Sequence, residues 1–468
     1  MFDAVKWFYS VVGVFFVIYL LGYSTFLIVS VIAGALEMYR QNKLRIFHNE
    51  MKHDYYIPVS ILVPAYNEEV TVADTVRSLL MLDYKLYEII VVDDGSKDRT
   101  TEVLVEAFGM REVERPIRRR IRCKREKAIY EAMVDGIHIT LVSKENGGKA
   151  DALNMGINVS RYPYFICMDA DSALQKDSLE KIVRPLIGDD SVIAVGGMVR
   201  ISNYAVLNKG ELTDYHMPWN AVVGMQILEY DRSFMASRIL LDKFNGNLII
   251  SGAFGLFQKE AAVNVGGYDT GSLGEDMELV VKMHVFSITN QIPYKIKYAP
   301  DAVCWSQCPS TMGDLVKQRR RWYLGLYQCL IKHRQMFFNK DYGCVSFISF
   351  LYYLVYELLS PFIELFGIVT MIMAFAVNLI NVPFMILFFL IYAVFGAALT
   401  LTSFLSRVYM QNTKLTPLDM VKAVLLCVAE SVCLRFVQAF TRMTAFVGYR
   451  KRKNQWGQIK RQKMNLNQ

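Results

Sequence analysis

The sequence lacks the motifs of several common nucleotide-using enzymes. It contains no GxxxxGK[ST] segment, which argues against a P-loop ATPase, and no GxGxxG after the first predicted strand, which argues against a dinucleotide-dependent dehydrogenase. None of its eight cysteines forms a CxxC pair, and no second pair or histidine spacing makes Cys304 and Cys308 a zinc site. We therefore expect reduced cysteines that serve in packing, in a chain whose soluble part lies in the cytoplasm.

The surplus of positive charge does not indicate a nucleic-acid partner. The formal net charge is +8, but no nucleic-acid-binding module is recognisable. Basic residues instead cluster beside apolar segments, at 40–45, 319–321 and 450–463, where contact with anionic lipid headgroups is expected. The lipid bilayer is therefore the predicted partner.

An apolar N-terminal segment predicts a transmembrane helix. Hydrophobic residues make up 53% of the chain and charged residues 21%, which is typical of a polar domain with apolar ends. The uncharged run Phe8–Leu36 is long enough to cross a bilayer and lacks the cleavage site of a signal peptide. Because Arg40, Lys43 and Arg45 follow it directly, the positive-inside rule places the next domain in the cytoplasm.

A second apolar region predicts a membrane hairpin near the C-terminus. Leu365–Ser406 contains no charged residue and is interrupted by a predicted turn at Asn378–Pro383. Cys344–Tyr356 is too short to cross alone and is either interfacial or part of a broken helix, whereas Ala423–Phe446 reads as an amphipathic interfacial helix. We expect two C-terminal spans, with four as the alternative. The predicted divisions are an N-terminal helix (1–45), a cytoplasmic domain (46–343), a C-terminal membrane region (344–446) and a basic cytoplasmic tail (447–468).

Alternating strands and helices predict an α/β domain between these membrane segments. A mostly parallel sheet follows from such alternation, and its ligands bind beyond the carboxyl ends of its strands. Helices are expected at Glu69–Met81 and Lys149–Val159. The predicted strands are Val59–Val63, Glu88–Val92, Ile139–Val142, Tyr164–Met168 and Val192–Val195.

Polar side chains follow four successive strands. The segments are Pro64–Glu69, Asp93–Ser96, Lys144–Lys149 and Asp169–Ser172. Two carboxylates one residue apart, Asp169 and Asp171, suit Mg²⁺ or Mn²⁺ because these hard cations prefer oxygen ligands. Gly147-Gly148-Lys149 opens a helix and suits an anion, although a flexible turn with a solvated lysine is the alternative.

Two further segments could take part in catalysis or binding, or could have a purely structural role. Glu275 and Asp276 begin a predicted helix, where carboxylates also serve as caps. Gln318, Arg321 and Trp322 precede the membrane hairpin, and they suit either a diphosphate with a stacked ring or an interfacial anchor.

Together these segments resemble the processive family 2 glycosyltransferases, the group of cellulose, hyaluronan and poly-N-acetylglucosamine synthases. The QxxRW and [TG]ED elements are specific to that group, and the matched segments run in the family's order from Pro64 to Trp322. There are two departures. Gly274 stands where cellulose and poly-N-acetylglucosamine synthases usually have threonine, and the basic insert Arg111–Lys127 has no counterpart, so we interpret it as a solvated, lipid-facing loop.

The resemblance implies a GT-A-like, mixed and mostly parallel sheet domain inserted between transmembrane helices, and it implies residue roles. Asp276 matches the general base, with Glu275 as the next candidate, and Asp171 with Asp169 would ligate the metal. Ser251, Gly252 and Trp322 would face the acceptor. The donor-binding residues would be Pro64, Tyr66, Glu68, Asp94, Lys149, Asp169, Gln318, Arg321 and Trp322.

The implied activity is that of an inverting, multi-pass enzyme of a bacterial-type inner membrane. It would polymerise a β-linked polysaccharide from a UDP-sugar, with UDP-glucose first and UDP-N-acetylglucosamine second, and pass the growing chain through its apolar segments. One alternative is a non-processive transferase that adds a single sugar to a lipid or short glycan, against which QxxRW and the hairpin argue. Another is a catalytically silent scaffold, against which the intact Asp169, Asp171 and Asp276 argue. The need for an accessory export subunit is left open.

Overall fold

The computed structural model describes residues 2–48, 56–208, 210–411, 413–447 and 466–467, so the predicted basic tail lies almost wholly outside the described residues. Ten strands form one sheet in the order β3-β4-β5-β2-β1-β6-β11-β8-β12-β7, and three more form a small second sheet. The strands are β1 (Val59–Ala65), β2 (Tyr87–Asp93), β3 (Arg111–Glu112), β4 (Glu126–Val134), β5 (Ile137–Lys144), β6 (Tyr164–Cys167), β7 (Ser172–Leu174), β8 (Val192–Ile201), β9 (Ala205–Asn208), β10 (Glu211–Tyr215), β11 (Gly255–Gln258), β12 (Lys295–Ser306) and β13 (Leu466–Asn467).

The parallel core of the sheet is the predicted one. The five expected strands are present as β1, β2, β5, β6 and β8, and four of them lie side by side in parallel as β5-β2-β1-β6. Antiparallel strands flank this core: β4 pairs with β5, and β11 pairs with both β6 and β8. The sheet is therefore mixed, as expected, and larger than the apolar runs alone indicate.

Helices cover both faces of the sheet, which explains the continuous apolar strands. Ile61 of β1 packs in one core with α2, whereas the next residue, Leu62, packs in the other core with α4. The α-helices are α1 (Phe2–His48), α2 (Val72–Leu80), α3 (Thr100–Phe108), α4 (Lys149–Val159), α5 (Ser178–Val183), α6 (Ala221–Arg232), α7 (Arg238–Asp242), α8 (Lys259–Asn264), α9 (Glu275–Thr289), α10 (Met312–Lys332), α11 (Ser360–Ala376), α12 (Val382–Met410), α13 (Pro417–Ala429) and α14 (Arg435–Met443).

Two of the described helices are long and apolar enough to cross a membrane. They comprise Ala4–Gln41 of α1 and Val382–Met410, which is α12. The helical segment Val345–Leu358 meets α11 at an angle of 49°, and the two together would make a third span if they are one broken helix. The predicted turn is present, since α11 ends at Ala376 and α12 begins at Val382. Most of the Cys344–Tyr356 segment forms the first half of this bent pair, and whether it crosses a membrane stays a prediction. The protein is a membrane protein by these helices.

The segment from α13 to α14 is amphipathic, and both of its ends contact the α/β domain. Near its start Asp419 accepts a hydrogen bond from the Met217 amide, and beyond its end Thr444 accepts one from Arg320. Its outer face exposes large apolar side chains, among them Leu425 and Phe440. This geometry suits the predicted interfacial helix, whose place relative to a bilayer stays a prediction.

The basic insert differs from our interpretation as a solvated loop. Ile121 is 3% exposed and packs in the core with α4, while Asn158 of α4 accepts hydrogen bonds from the amides of Arg120 and Ile121. The Arg120 side chain is paired with Glu260. The insert leads into β4. Its buried isoleucine and its hydrogen bonds to α4 make it a packed edge of the domain, which its basic composition did not indicate.

The buried cysteines agree with the expected packing role, whereas Cys344 is exposed. The cysteines whose side chains are described are all free thiols, and most of them are buried.

Candidate active site

The four predicted loops meet at one edge of the sheet because their strands are neighbours. The loop after β1 is fastened to the loop after β2: the Asn67 amide donates to Ser96 Oγ (2.9 Å), and Asn67 Oδ1 accepts from the Lys97 amide (2.8 Å). Pro64 lies within β1, with Tyr66 partly exposed and Glu68 buried in the loop that follows. Glu68 accepts a hydrogen bond from Thr71 (2.8 Å), so its carboxylate helps to shape the loop.

Asp94 organises the glycine loop in front of α4. Its buried carboxylate accepts hydrogen bonds from the amides of Gly147 (3.0 Å) and Gly148 (2.6 Å) and pairs with the Lys144 ammonium (2.5 Å). Burial raises the pKa of Asp94, although Lys144 and the two amides oppose that rise. The predicted contact of Asp94 with uridine stays a prediction, because here its oxygens hold the loop. Gly148 has φ +88°, a conformation that L side chains rarely adopt.

Lys144 and Asp151 were missed as contributors to this loop. Lys144 is fully buried, and its ammonium lies between Asp94 and Asp151, 2.6 Å from the latter. A lysine at the end of a strand and an acid in the first turn of a helix are common. No sequence signal therefore distinguished this buried cluster from solvated charges.

Lys149 lies at the centre of the site. Its buried ammonium pairs with Asp169, lies 3.9 Å from Glu275 Oε1 and is 3.5 Å from the Gly252 carbonyl. Burial lowers the pKa of Lys149, but Asp169 and Glu275 outweigh it and the pKa is raised. A fixed positive charge is therefore available at the helix start, where an anion would bind.

The paired aspartates sit at a turn between β6 and β7. Burial and the neighbouring Asp169 raise the pKa of Asp171 to about 7. Two carboxylates whose mutual repulsion is only partly offset by Lys149 form an oxygen-rich set that suits a divalent cation. The donor set thus fits the expected Mg²⁺ or Mn²⁺.

Asp276 and Glu275 differ in accessibility at the start of α9. Glu275 is buried, and burial raises its pKa although Lys149 lowers it. Asp276 is partly exposed, with Oδ2 accepting from the Gly252 amide (3.2 Å) and Oδ1 from the Met277 amide (2.8 Å). The second bond is a local helix-start contact, so some capping is present. The first bond joins Asp276 to the predicted acceptor segment, Ser251 and Gly252.

A close helix contact explains the glycine that departs from the family pattern. A Cβ on Gly274 would lie 3.2 Å from the Cα of Gly325 on α10, and a Cβ on Gly325 would lie 2.6 Å from the Gly274 nitrogen. Both partners are backbone atoms, which cannot move aside easily. The two glycines therefore allow the start of α9 to approach α10, the helix that carries Gln318, Arg321 and Trp322. Gly325 was not singled out from the sequence.

The same two helices are joined by a buried carboxylate. Glu278 on α9 lies 2.6 Å from the Lys332 ammonium and 3.0 Å from His333 Nε2, both at the end of α10. Although burial raises the pKa of Glu278, its bonds to His333 and Lys332 outweigh this and lower it. The buried Cys329 is near enough to complete a cluster of metal-ligating atoms with Glu278 and His333. Since Lys332 already neutralises Glu278, we interpret the cluster as a contact that joins α9 to α10 and not as a metal site.

The three predicted residues of α10 differ in exposure and position. Trp322 is 38% exposed. Arg321 is close enough to favour the charged form of Glu275, which places it at the site, and Gln318 is partly buried on the same helix. The residues that are thus brought together are Lys149, Asp169, Gly252, Glu275, Asp276 and Arg321, while Gln318 and Trp322 lie on the helix that carries Arg321. Their roles in binding stay predictions.

A cavity of about 140 Å³ lies between the α/β domain and the membrane helices, and we call it the junction cavity. It was not anticipated from the sequence, because its wall comes from segments that are far apart in the chain. The wall combines tyrosines with paired arginines and glutamates, among them Tyr19, Tyr23, Tyr356, Tyr392, Glu229, Arg232, Glu357, Glu364, Glu430, Arg435 and Arg442. The described pairs are Arg232–Glu430, Arg435–Glu364 and Arg442–Glu357.

The amino-acid sequence matches family models and known proteins. Residues 120–325 match the family described as "Glycosyltransferase like family 2", and residues 60–141 match "Glycosyl transferase family 2". The poly-beta-1,6-N-acetyl-D-glucosamine synthase of Staphylococcus aureus is 31% identical over 318 residues, which are 67% of this chain and 66% of that protein. The synthase of the same name from Staphylococcus epidermidis is 32% identical over 292 residues, 62% of this chain and 59% of that protein.

A solved structure supports the fold. A mannosyltransferase from Pyrobaculum calidifontis, in complex with GDP-Man and Mn²⁺, superposes with a TM-score of 0.50 at 18% identity and covers 88% of this chain and 98% of its own. At that identity the likeness concerns the fold alone. It agrees with the predicted GT-A-like domain.

Proposed function

The chain belongs to glycosyltransferase family 2, and on that premise we propose that it is an inverting membrane enzyme that polymerises a β-linked polysaccharide from UDP-N-acetylglucosamine. The product named for both staphylococcal relatives supports this donor, which corrects the order inferred from the sequence, where UDP-glucose stood first. The chain spans less than two thirds of the length of those relatives, 66% and 59%, so the donor and the product are parts of the proposal.

The observation that carries the proposal is the position of Asp276. Its partly exposed carboxylate lies beside Gly252, whose carbonyl in turn lies beside Lys149. A proton acceptor is thereby next to a fixed cation, which is the arrangement that transfer from a nucleotide diphosphate sugar requires. Glu275 is buried and lies next to Lys149, so it is the less suitable base.

In the proposed reaction, Asp276 accepts the proton of an acceptor hydroxyl as that oxygen forms a bond to the anomeric carbon of the donor. The bond from that carbon to the UDP oxygen breaks, so attack from the face opposite UDP converts an α-linked donor into a β-linked product. Lys149 and Arg321 offset the negative charge that develops on the diphosphate. The loops that carry Tyr66, Glu68 and Asp94 would enclose the uridine.

Asp171 and Asp169 would hold a divalent metal ion. When bound, Mg²⁺ or Mn²⁺ supplies positive charge that neutralises the leaving diphosphate. Asp169 is also paired with Lys149.

The junction cavity supports a route for the product across the membrane. Its tyrosines offer aromatic faces and hydroxyl groups, and its charged side chains are largely matched with one another, so it suits a polar chain without net charge. Glu229 belongs both to this wall and to the contacts of α10, which connects the cavity to the proposed active site. We place the α/β domain in the cytoplasm on the basis of Arg40, Lys43 and Arg45, which follow the apolar run near the C-terminal end of α1.

The experiment is turnover of a panel of UDP-sugars by the purified full-length protein in detergent. The proposal predicts release of UDP from UDP-N-acetylglucosamine and a β-linked polymer. As a matched pair, Asp276→Asn removes the proposed base, and Asp314→Asn changes an aspartate in the first turn of α10. Products that carry one added sugar would favour the non-processive alternative, and an absence of transfer from every donor would refute the proposal.

A further inference from the structure

Three consecutive arginines on α10 have three different surroundings. Arg320 donates a hydrogen bond to Thr444 Oγ1 (2.9 Å), and Arg321 lies near Glu275. Arg319 is 8% exposed and donates through both Nη atoms to the two carboxylate oxygens of Glu229, at 2.8 and 2.7 Å. A bidentate pair of this kind fixes the plane of the guanidinium as well as its position.

Arg319 is also stacked on the tryptophan of the QxxRW element. Its guanidinium carbon lies 4.7 Å from the centroid of the Trp322 ring, and a spacing of three residues places both side chains on one face of α10. Part of the indole is therefore covered by a cation that Glu229 holds still. Trp322 is 38% exposed, so a ligand has access to part of a side chain whose orientation the stack helps to fix.

The anchor of this arrangement belongs to another element. Glu229 lies on α6, where Arg232, one turn later, binds Glu430 and Thr400. Both Glu229 and Arg232 line the junction cavity. The pair of Arg319 and Glu229 thus joins the helix of the proposed active site to a helix in the cavity wall.

We infer that Arg319 is a positioning residue, anchored by Glu229, which holds the Trp322 indole against the acceptor end of the growing glycan. The inference rests on the proposed function, because it requires a glycan acceptor. Arg319 acts through Trp322 and touches neither donor nor base. Its loss frees the indole and weakens acceptor binding, while donor binding and the chemical step are retained.

The test separates positioning from a purely structural role. Arg319→Met leaves the partly buried Glu229, whose side chain is 17% exposed, without this partner and is expected to lower the thermal stability. The double variant Arg319→Met, Glu229→Leu replaces both partners by apolar side chains, an exchange that buried ion pairs often tolerate, so its stability should recover. Arg320→Met is the control, since it alters the neighbouring arginine and leaves the stack on Trp322 in place.

Each variant is assayed with UDP-N-acetylglucosamine and a short β-linked N-acetylglucosamine oligosaccharide as acceptor. We expect the acceptor KM to rise about tenfold in both Arg319→Met and the double variant, the order of effect of a lost cation–π contact. The donor KM and kcat should change less than about twofold. In a Trp322→Ala background, adding Arg319→Met should raise the acceptor KM little further, because Arg319 acts through the ring that this background lacks.

Three results would overturn the inference. They are recovery of both stability and acceptor KM in the double variant, a rise in the donor KM in place of the acceptor KM, and full additivity with Trp322→Ala. Should the wild-type protein turn over no UDP-sugar, the proposed function would fail first. Calorimetric binding of the same oligosaccharide to these variants would then still test the positioning role, because it needs no turnover.

Discussion

Asp276→Asn is the substitution that separates catalysis from capping most sharply. The wild-type carboxylate accepts two backbone hydrogen bonds, from Gly252 (3.2 Å) and Met277 (2.8 Å). Asparagine has one acceptor oxygen in place of two, so one of these bonds is retained and the other is lost. Losing one such bond costs about 1 kcal/mol, a small fraction of the stability of a domain. The variant should therefore fold.

The catalytic consequence should be far larger than this structural one. Asparagine cannot accept the acceptor proton at neutral pH, and general-base catalysis contributes roughly 10²–10⁴-fold, so polymer synthesis should fall by about that factor. The affinity for the UDP-sugar should change little, because Lys149, the proposed diphosphate ligand, is held by Asp169 and Glu275. UDP release, donor affinity and thermal stability are measured on one preparation, with Asp314→Asn as the control.

The two readings of Asp276 give opposite patterns. If Asp276 is a capping residue, the Asp276→Asn protein should lose stability and keep most of its turnover. If Asp276 is the base, the same variant should lose turnover and keep most of its stability. Polymer synthesis near the wild-type rate in Asp276→Asn would refute the assignment of the base. Glu275 would then be the next residue to substitute, although it is buried in this structure.

Three further predictions address the metal, the helix contact and the topology. Asp171→Asn, or excess chelator on the wild type, should nearly abolish UDP release while the protein stays folded; full activity in EDTA would contradict the metal site. Gly325→Ala should lower both thermal stability and turnover, because its Cβ would lie 2.6 Å from the backbone nitrogen of Gly274. Gly313→Ala on the same helix is the control and should be neutral, because its Cβ would meet nothing within 4 Å. Equal effects of the two substitutions would contradict the close contact. Reporters inserted near Arg118 and fused after the last residue should report the same side of the membrane, and opposite sides would show that the α13–α14 segment crosses it.

Local sequence signals predicted the centre of the sheet and the polar loops that follow its strands. Strands β1, β2, β5 and β6 are short apolar runs followed by polar loops, and because these strands are neighbours their loops converge. The helix start at Lys149 was likewise readable from the two glycines before it. These features depend on residues close together in the chain, which is why the sequence was sufficient.

Features that depend on distant contacts were not predicted. The basic insert looked solvated because its charges dominate its composition, and its burial depends on Asn158 of α4. Arg319 looked like part of a basic run until Glu229, ninety residues earlier, proved to be its partner. Gly274 looked like a loss from the family pattern, and only the approach of Gly325 explains it. Such pairings arise from the packing of helices, to which periodicity and motif spacing are insensitive.

The central claim is that this protein extends a β-linked chain of N-acetylglucosamine. The most direct measurement is incubation of the purified full-length protein with radiolabelled UDP-N-acetylglucosamine and Mg²⁺ or Mn²⁺, followed by size separation and digestion of the product with a β-N-acetylglucosaminidase. The account predicts a long product that the glycosidase degrades and that Asp276→Asn does not make. A product extended by a single sugar, an α-linked product, or a polymer formed only from another UDP-sugar would contradict it.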